Sequence, residues 1–259
     1  MTASEPPLRD MEQNVVLRFS SAFEARFSAQ DPDGSVPGWA NTTLGAQDKV
    51  FADHLIAANA RFALIEFKAT FLAIRKEARK PLRQRLFSQL AVRSDFLRRC
   101  LDFHFVCWGT TRRHQPAGCP IPIVEEVDYL NQYAVHVAPF MHSTLSLTPS
   151  DDINTQTFLD KFIDSRLMGG TYSRFKRYLN ELGQLAAGVE GGASSISGMV
   201  YVYVPPEGRN PARYAHSRFQ GLEQLQLLFK PNAKELSREH GRDLEISQKP
   251  ISRSGPSLG

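Results

Sequence analysis

The sequence predicts an α/β fold, and three observations carry that prediction. Val15, Val16, Phe19, Ala22, Phe23 and Phe27 recur at three- and four-residue spacing, which marks an amphipathic helix over 11–29. Two apolar runs, 49–57 (KVFADHLIA) and 61–71 (RFALIEFKATF), lie either side of a short Ala58-Asn59-Ala60 turn and predict a hairpin. A basic, helical stretch from Leu72 to Leu101 then leads into Phe103–Thr110 (FHFVCWGT), where aromatics and Val mark a buried strand.

The remaining elements follow from local chemistry. Asp31-Pro-Asp-Gly-Ser-Val-Pro-Gly38 must be loop. Pro81 either breaks the basic helix or opens a second one, since proline lacks the N–H that a helix interior needs but a first turn does not. Loop residues surround Pro116, Pro120 and Pro122, and 126–140 has room for one or two strands. Residues 155–168 and 172–187 predict helices joined at Gly169-Gly170, and Met199–Val204 a strand ended by Pro205-Pro206. The stretch 217–229 is compatible with helix or strand. After Pro231 there are no aromatics, and the chain is expected to continue as a disordered tail. The expected organisation is an N-terminal tail (1–10), a core domain (11–145), a mostly helical α/β extension (146–230) and the tail (231–259).

Composition excludes several classes. With 259 residues, 42% of them hydrophobic and 17 Phe, the chain can bury a sizeable core, so wholesale disorder is excluded. No stretch approaches the ~20 consecutive apolar residues of a membrane span. The start MTASEPPLRDMEQN has no apolar run after a basic region, unlike a secretory signal. Cys100, Cys107 and Cys119 form no CxxC pair, which argues against a disulfide framework and for a cytoplasmic protein with reduced thiols. The net charge of +4 is uneven: residues 75–113 hold eleven bases against three acids, +8 in one seventh of the chain. Such a block suits a polyanionic partner, although a solvated helix face has the same composition.

The chemistry concentrates in the hairpin. Glu66-Phe67-Lys68 is the only acid-x-Lys triplet in the sequence, and it sits in an otherwise apolar strand where charge is costly unless compensated. Alternation places Glu66 and Lys68 on one face and Ile65 and Phe67 on the other. Folding about Asn59-Ala60 pairs 58 with 61 and 57 with 62, and sets Asp53 opposite Glu66 with Cβ atoms roughly 5 Å apart, a register that a four-residue loop also keeps. A three-residue loop would break that register. Two facing carboxylates repel unless a cation joins them, and Lys68 or a divalent metal can do so. Carboxylate oxygens with open water positions suit Mg2+ or Mn2+, which activate water and stabilise phosphoryl charge.

The stretch KVFADHLIAANARFALIEFKAT resembles the catalytic hairpin of the PD-(D/E)XK nuclease superfamily. There an Asp ends one strand and a (D/E)-x-Lys triplet lies on the next, here Asp53 and Glu66-x-Lys68, with Ala52 in place of the Pro before the Asp. The resemblance covers roughly residues 11–112 and implies a restriction-endonuclease-like αβββαβ core, a central mixed sheet flanked by helices. It further implies Mg2+ (or Mn2+) held by Asp53, Glu66 and the Phe67 carbonyl, with Glu24 of the first helix as a further acid. Lys68 would assist the attacking water, and Gln89 occupies the place of a Gln found after the triplet in RecB-type relatives. The implied activity is phosphodiester hydrolysis in DNA, in restriction, repair, recombination or phage defence. Arg75, Lys76, Arg79, Lys80 and Arg83, directly after the catalytic strand, would hold the DNA backbone. The alternative is a nuclease-fold effector or binding subunit, inactive or awaiting a protein partner or signal; a homo-oligomer is a further possibility, and no membrane partner is expected.

Other signals are weaker. Cys100, His104, Cys107, His114 and Cys119 match no familiar zinc spacing. His54 faces away from Asp53 in a strand and is expected to pack. Gly169-Gly170-Thr171 before a helix is more simply a turn than a phosphate site. Tyr201, Tyr203, Tyr214 and Phe219 are explained as well by core packing as by base stacking.

Overall fold

In the computed structural model, the described residues are 8–30, 39–44, 51–58, 61–121, 123–148, 150–185, 197–204 and 213–228. They belong to a unit spanning Met1–Phe229; the remaining residues, Lys230–Gly259, form a second unit. The expected loop at 31–38 and the expected tail lie outside the described residues.

Helix α1 (Leu8–Gln30) buries Val15, Phe19, Phe23 and Phe27, the stripe read from the sequence. Strand β1 (Trp39–Thr43) follows, then β2 (His54–Ala58) and β3 (Arg61–Lys68). The two strands of the hairpin pair antiparallel from His54↔Ile65 to Ala58↔Arg61, the register expected from the sequence. Strand β2 starts later than the apolar run suggested, because Phe51–Asp53 bend away from the ladder.

The basic stretch forms a 3-10 segment (Phe71–Arg79), then α2 (Pro81–Val92) and α3 (Ser94–Phe103). Pro81 opens α2 at its first turn, where its missing N–H has no intrahelical partner to lose. Strand β4 (His104–His114) lies parallel to β3, and β5 (Ile123–Gln132) antiparallel to β4. The region 126–140 holds one strand, most of β5, followed by a helical turn, α4 (Tyr133–Val137), in which Tyr133, Ala134 and Val137 are buried at helical spacing.

Among the described residues, the extension adds strands to the sheet as well as helices. Strand β6 (Ile153–Asn154) pairs with β5, while β7 (Ser197–Val204) and β8 (Arg213–Gln220) continue the sheet beyond β1. The result is one mixed eight-stranded sheet in the order β6-β5-β4-β3-β2-β1-β7-β8. The expected helix at 155–168 is shorter, α5 (Thr155–Leu159) with a wider turn to Asp164. Gly169 then takes a φ of +67°, and Gly170 exchanges backbone hydrogen bonds with Phe62 at 3.0 and 3.2 Å before α6 (Tyr172–Leu185). A Cβ at Gly169 would lie 2.8 Å from the Phe62 carbonyl oxygen, so this junction requires glycine. The stretch 217–229 divides between the end of β8 and α7 (Leu222–Leu228).

Two apolar layers sandwich the sheet. Phe62, Leu64, Val106 and Trp108 pack with residues of α2, α3 and α6 on one face. Ile65, Phe67, Phe105 and Cys107 pack with α1 and α5 on the other. Glu66 and Lys68 belong by alternation to the first face. No helix among the described residues is long and apolar enough to cross a membrane.

Candidate functional site

The site forms where β3 outruns β2. The last β2–β3 pair is His54↔Ile65, so Phe67 lies two residues beyond it, and side chains take its backbone groups in place of a partner strand. The Phe67 N–H donates to Asp53 Oδ2 at 2.6 Å, and its carbonyl accepts from Lys68 Nζ at 2.6 Å. Lys68 Nζ also donates to Glu66 Oε1 at 2.7 Å and stands 3.8 Å from Asp53 Oδ2. The sequence-derived trio of Asp53, Glu66 and Lys68 is thus brought together around one ammonium group.

Helical residues complete the cluster. Glu77, fully buried on the 3-10 segment, lies 3.4 Å from Lys68 Nζ through Oε1, and its Oε2 accepts from the Tyr133 hydroxyl at 2.9 Å. Lys80 Nζ reaches Glu66 Oε1 at 3.0 Å and Glu77 Oε1 at 2.7 Å. Arg83, only 1% exposed, bridges Glu66 Oε2 at 3.3 Å and Glu77 Oε2 at 3.4 Å, donates to the Phe51 carbonyl at 3.2 Å and lies over the Tyr133 ring. Glu12, on the first turns of α1, is close enough to feel the charges of Lys68, Glu66, Lys80 and Glu77.

The electrostatics follow from this geometry. Burial opposes ionisation of Glu66, but Lys68, Arg83 and Lys80 outweigh it and hold the carboxyl well below its ordinary value. Burial likewise opposes the charge on Lys68, and Glu66, Asp53 and Glu77 more than restore it, so the ammonium keeps its proton firmly. Asp53 is different: burial and the Glu66 charge push its carboxyl up to about 7 despite Lys68. Glu12 is also raised, first by burial, and by Glu66 and Glu77 against the pull of the lysines.

That imbalance bears on a divalent cation. Four carboxylates (Glu12, Asp53, Glu66, Glu77) and three cations (Lys68, Lys80, Arg83) act on one another here, and Asp53 and Glu12 are the two acids raised, by burial first and by the neighbouring carboxylates second. Oxygen donors with uncompensated negative charge fit a hard divalent ion. Asp53, Glu66 and the Phe67 carbonyl are the residues that would hold one. Among the described residues no three Asp, Glu, His or Cys side chains converge as a ready-made cage, because the Lys68 ammonium lies between the oxygens.

Other expected site residues lie elsewhere. Glu24 is exposed, twelve positions and roughly 18 Å along α1 from Glu12. Gln89 is half-buried on α2, six residues past Arg83 and therefore about 240° around the helix from it. Arg83 is turned inward and cannot grip a DNA backbone; Lys80 is tied to Glu66 and Glu77. Arg75, Lys76 and Arg79 are exposed on the 3-10 segment. Glu12, Glu77 and the inward role of Arg83 were missed, yet each stands at an end of an apolar stripe: Glu12 before Val15 and Phe19, Glu77 after Ala73 and Ile74, Arg83 before Leu86, Phe87 and Leu90.

The thiols and histidines take packing roles. Cys100 and Cys107 are buried, on opposite faces of the sheet. His54 packs edge-on against Phe67 with Nδ1 3.0 Å from Asn41 Oδ1, and burial lowers its pKa to about 4. Phe219 is buried, and the side chains of Tyr201, Tyr203 and Tyr214 lie outside the described residues. Comparisons with protein-family models, with curated proteins and with solved structures find no match to this chain.

Proposed function

We propose that this protein is a Mg2+- or Mn2+-dependent nuclease that hydrolyses phosphodiester bonds in DNA, on a restriction-endonuclease-like core. The observation that carries the reading is the convergence of Asp53, Glu66, Lys68 and the Phe67 backbone at the open end of the β2–β3 hairpin. The chain order supports it as well: α1, β1, β2, β3, the α2–α3 helices and β4 follow one another as αβββαβ in one mixed sheet.

A divalent ion at such a site supplies Lewis-acid stabilisation of phosphoryl oxygen and lowers the pKa of a bound water. The chain's own residues do the rest. Asp53 and Glu66 present anionic oxygens, and Asp53 is fixed by the Phe67 N–H. Lys68 holds its proton, so it serves as a donor that orients a water or counters charge on the phosphoryl group, and not as a base. Glu77, Lys80 and Arg83 hold Glu66 in place from behind.

The test incubates supercoiled plasmid, linear duplex and single-stranded DNA with the protein in Mg2+, Mn2+ or EDTA. Metal-dependent cutting is expected, reduced about 100-fold or more in Asp53→Ala and Lys68→Ala proteins that retain their circular dichroism. Cutting that survives both substitutions overturns the proposal.

One observation favours a second reading, a nuclease-fold effector that a partner or signal must open. Both Glu66 oxygens are already engaged, Oε1 by Lys68 and Lys80 and Oε2 by Arg83. On that reading calorimetry detects no Mn2+ binding to the protein alone, and cutting arises only with the partner present.

A further inference from the structure

Beside the cluster lies a cavity of about 260 Å³, lined among others by Val15, Phe71, Leu72, Trp108, Thr110 and Thr111. Its wall is made by neighbours of the proposed catalytic lysine: Trp108 is the register partner of Lys68 across β3 and β4, and Ala69 and Thr70, the next two residues of the chain, also line it. Its volume is just below the roughly 300–1,000 Å³ of pockets that enclose a whole ligand, so it suits one ring system with its attached groups outside.

The lining is aromatic and unexpectedly open. Phe71 is 41% exposed and Leu72 63% exposed, although both sit where β3 hands over to the 3-10 segment, against a buried Trp108. The ring of Phe71 meets Trp108 at 5.6 Å and His136 at 5.6 Å, edge-on in both cases, so these two contacts leave it without a stacked partner. Threonine hydroxyls at Thr110 and Thr111 add polar groups at the cavity wall. Just along the same 3-10 segment, Arg75, Lys76 and Arg79 are exposed and supply positive charge.

We infer that this cavity takes an unpaired nucleobase of a single-stranded DNA substrate, stacked on Phe71, while the flanking phosphates run past Arg75, Lys76 and Arg79 toward Lys68. This rests on the nuclease reading and names its substrate class. A base in a duplex keeps both of its faces covered by its neighbours, whereas a single strand can turn one base onto an aromatic ring. Arg18 and Glu126, which also line the cavity, pair with one another, so it is the exposed cations of the neighbouring 3-10 segment and the nearness of the carboxylate cluster that distinguish this occupant from an apolar small molecule, which would need neither.

The experiment uses the full chain in EDTA, so that binding is read without cutting. The probe is a short DNA single strand carrying one 2-aminopurine, with the same strand in duplex as comparison. The single strand is expected to bind with quenching of the 2-aminopurine. Phe71→Ala removes the quench and weakens single-strand binding about tenfold, with duplex binding changed less than about twofold. Because Phe71 is half exposed, this variant is expected to fold, and a thermal melt checks it. Unchanged affinity and quench in Phe71→Ala overturn the inference, as does equal binding of both forms of DNA with no quench. The two readings fail separately: cutting with no Phe71 dependence removes only the base site, and Phe71-dependent stacking with no cutting in any metal removes only the nuclease.

Discussion

Arg83 shows how much a single buried charge can organise. Its guanidinium joins Glu66, Glu77 and the Phe51 carbonyl, which links the end of β3, the 3-10 segment and the bend before β2. Removing it leaves two buried carboxylates with only the lysines to answer them. An Arg83→Met protein is therefore expected to lose about 3–5 kcal/mol of stability, read as a lower urea midpoint at unchanged slope. A wild-type midpoint would mean that the ion pairs contribute nothing. His104 makes a second prediction. It stacks on Tyr133 at 4.2 Å and meets the Tyr178 hydroxyl at 2.9 Å through Nδ1, and burial lowers its pKa from 6.5 to about 3. Between those values the unfolded chain takes up a proton that the folded protein refuses, so stability is full above pH 6.5 and falls as the pH drops toward 3. Urea titrations over that range should show a shallower acid loss in His104→Gln, and parallel curves would remove this histidine from the account.

At the scale of the element, α1 and the hairpin explain which acids reach the site. The face of α1 that buries Val15, Phe19, Phe23 and Phe27 continues to Glu12 three residues earlier, whereas Glu24 is turned outward. Glu12→Gln is expected to lower metal-dependent cutting about 10–100-fold, the size of effect seen when an outer group supporting a metal site is lost. Glu24→Gln should change it less than about twofold, as for other exposed substitutions. Equal rates in the two variants would mean that the helix contributes no acid. The hairpin itself was legible because period-2 alternation and a short loop leave few registers, and a slip by one residue would turn Glu66 and Lys68 into the opposite apolar layer.

For the whole molecule, the basic block separates into two populations. Arg83 and Arg99 are buried, Arg99 on Glu181 at 2.7 Å, and Arg93 joins the same carboxylate at 2.7 Å. These charges hold α2 and α3 to the site and to α6. Arg75, Lys76 and Arg79 remain at the surface. Reversing those three to Glu should weaken DNA binding and reduce the slope of log affinity against log salt by up to about 3, with the urea midpoint little changed. An unchanged slope would place the DNA elsewhere. The sheet extends beyond the core in the same way, since β6, β7 and β8, all from the C-terminal α/β extension, lengthen it at both edges.

The amino-acid sequence by itself determined the stripe of α1, the pairing of β2 with β3, the strand β4 and the juxtaposition of Asp53, Glu66 and Lys68. These are short-range properties: helical periodicity and apolar runs either side of a short connection act within a few residues. Only the tertiary structure decided which charges turn inward. Glu12, Glu77 and Arg83 look like ordinary surface residues in the chain, and a buried charge is tolerated only where opposite charges from distant segments meet it. That is why Arg83 is turned inward from the expected DNA-contacting set, why Glu12 and not the exposed Glu24 feels the charges of the cluster, and why 133–137 coils into a helical turn whose Tyr133 reaches Glu77.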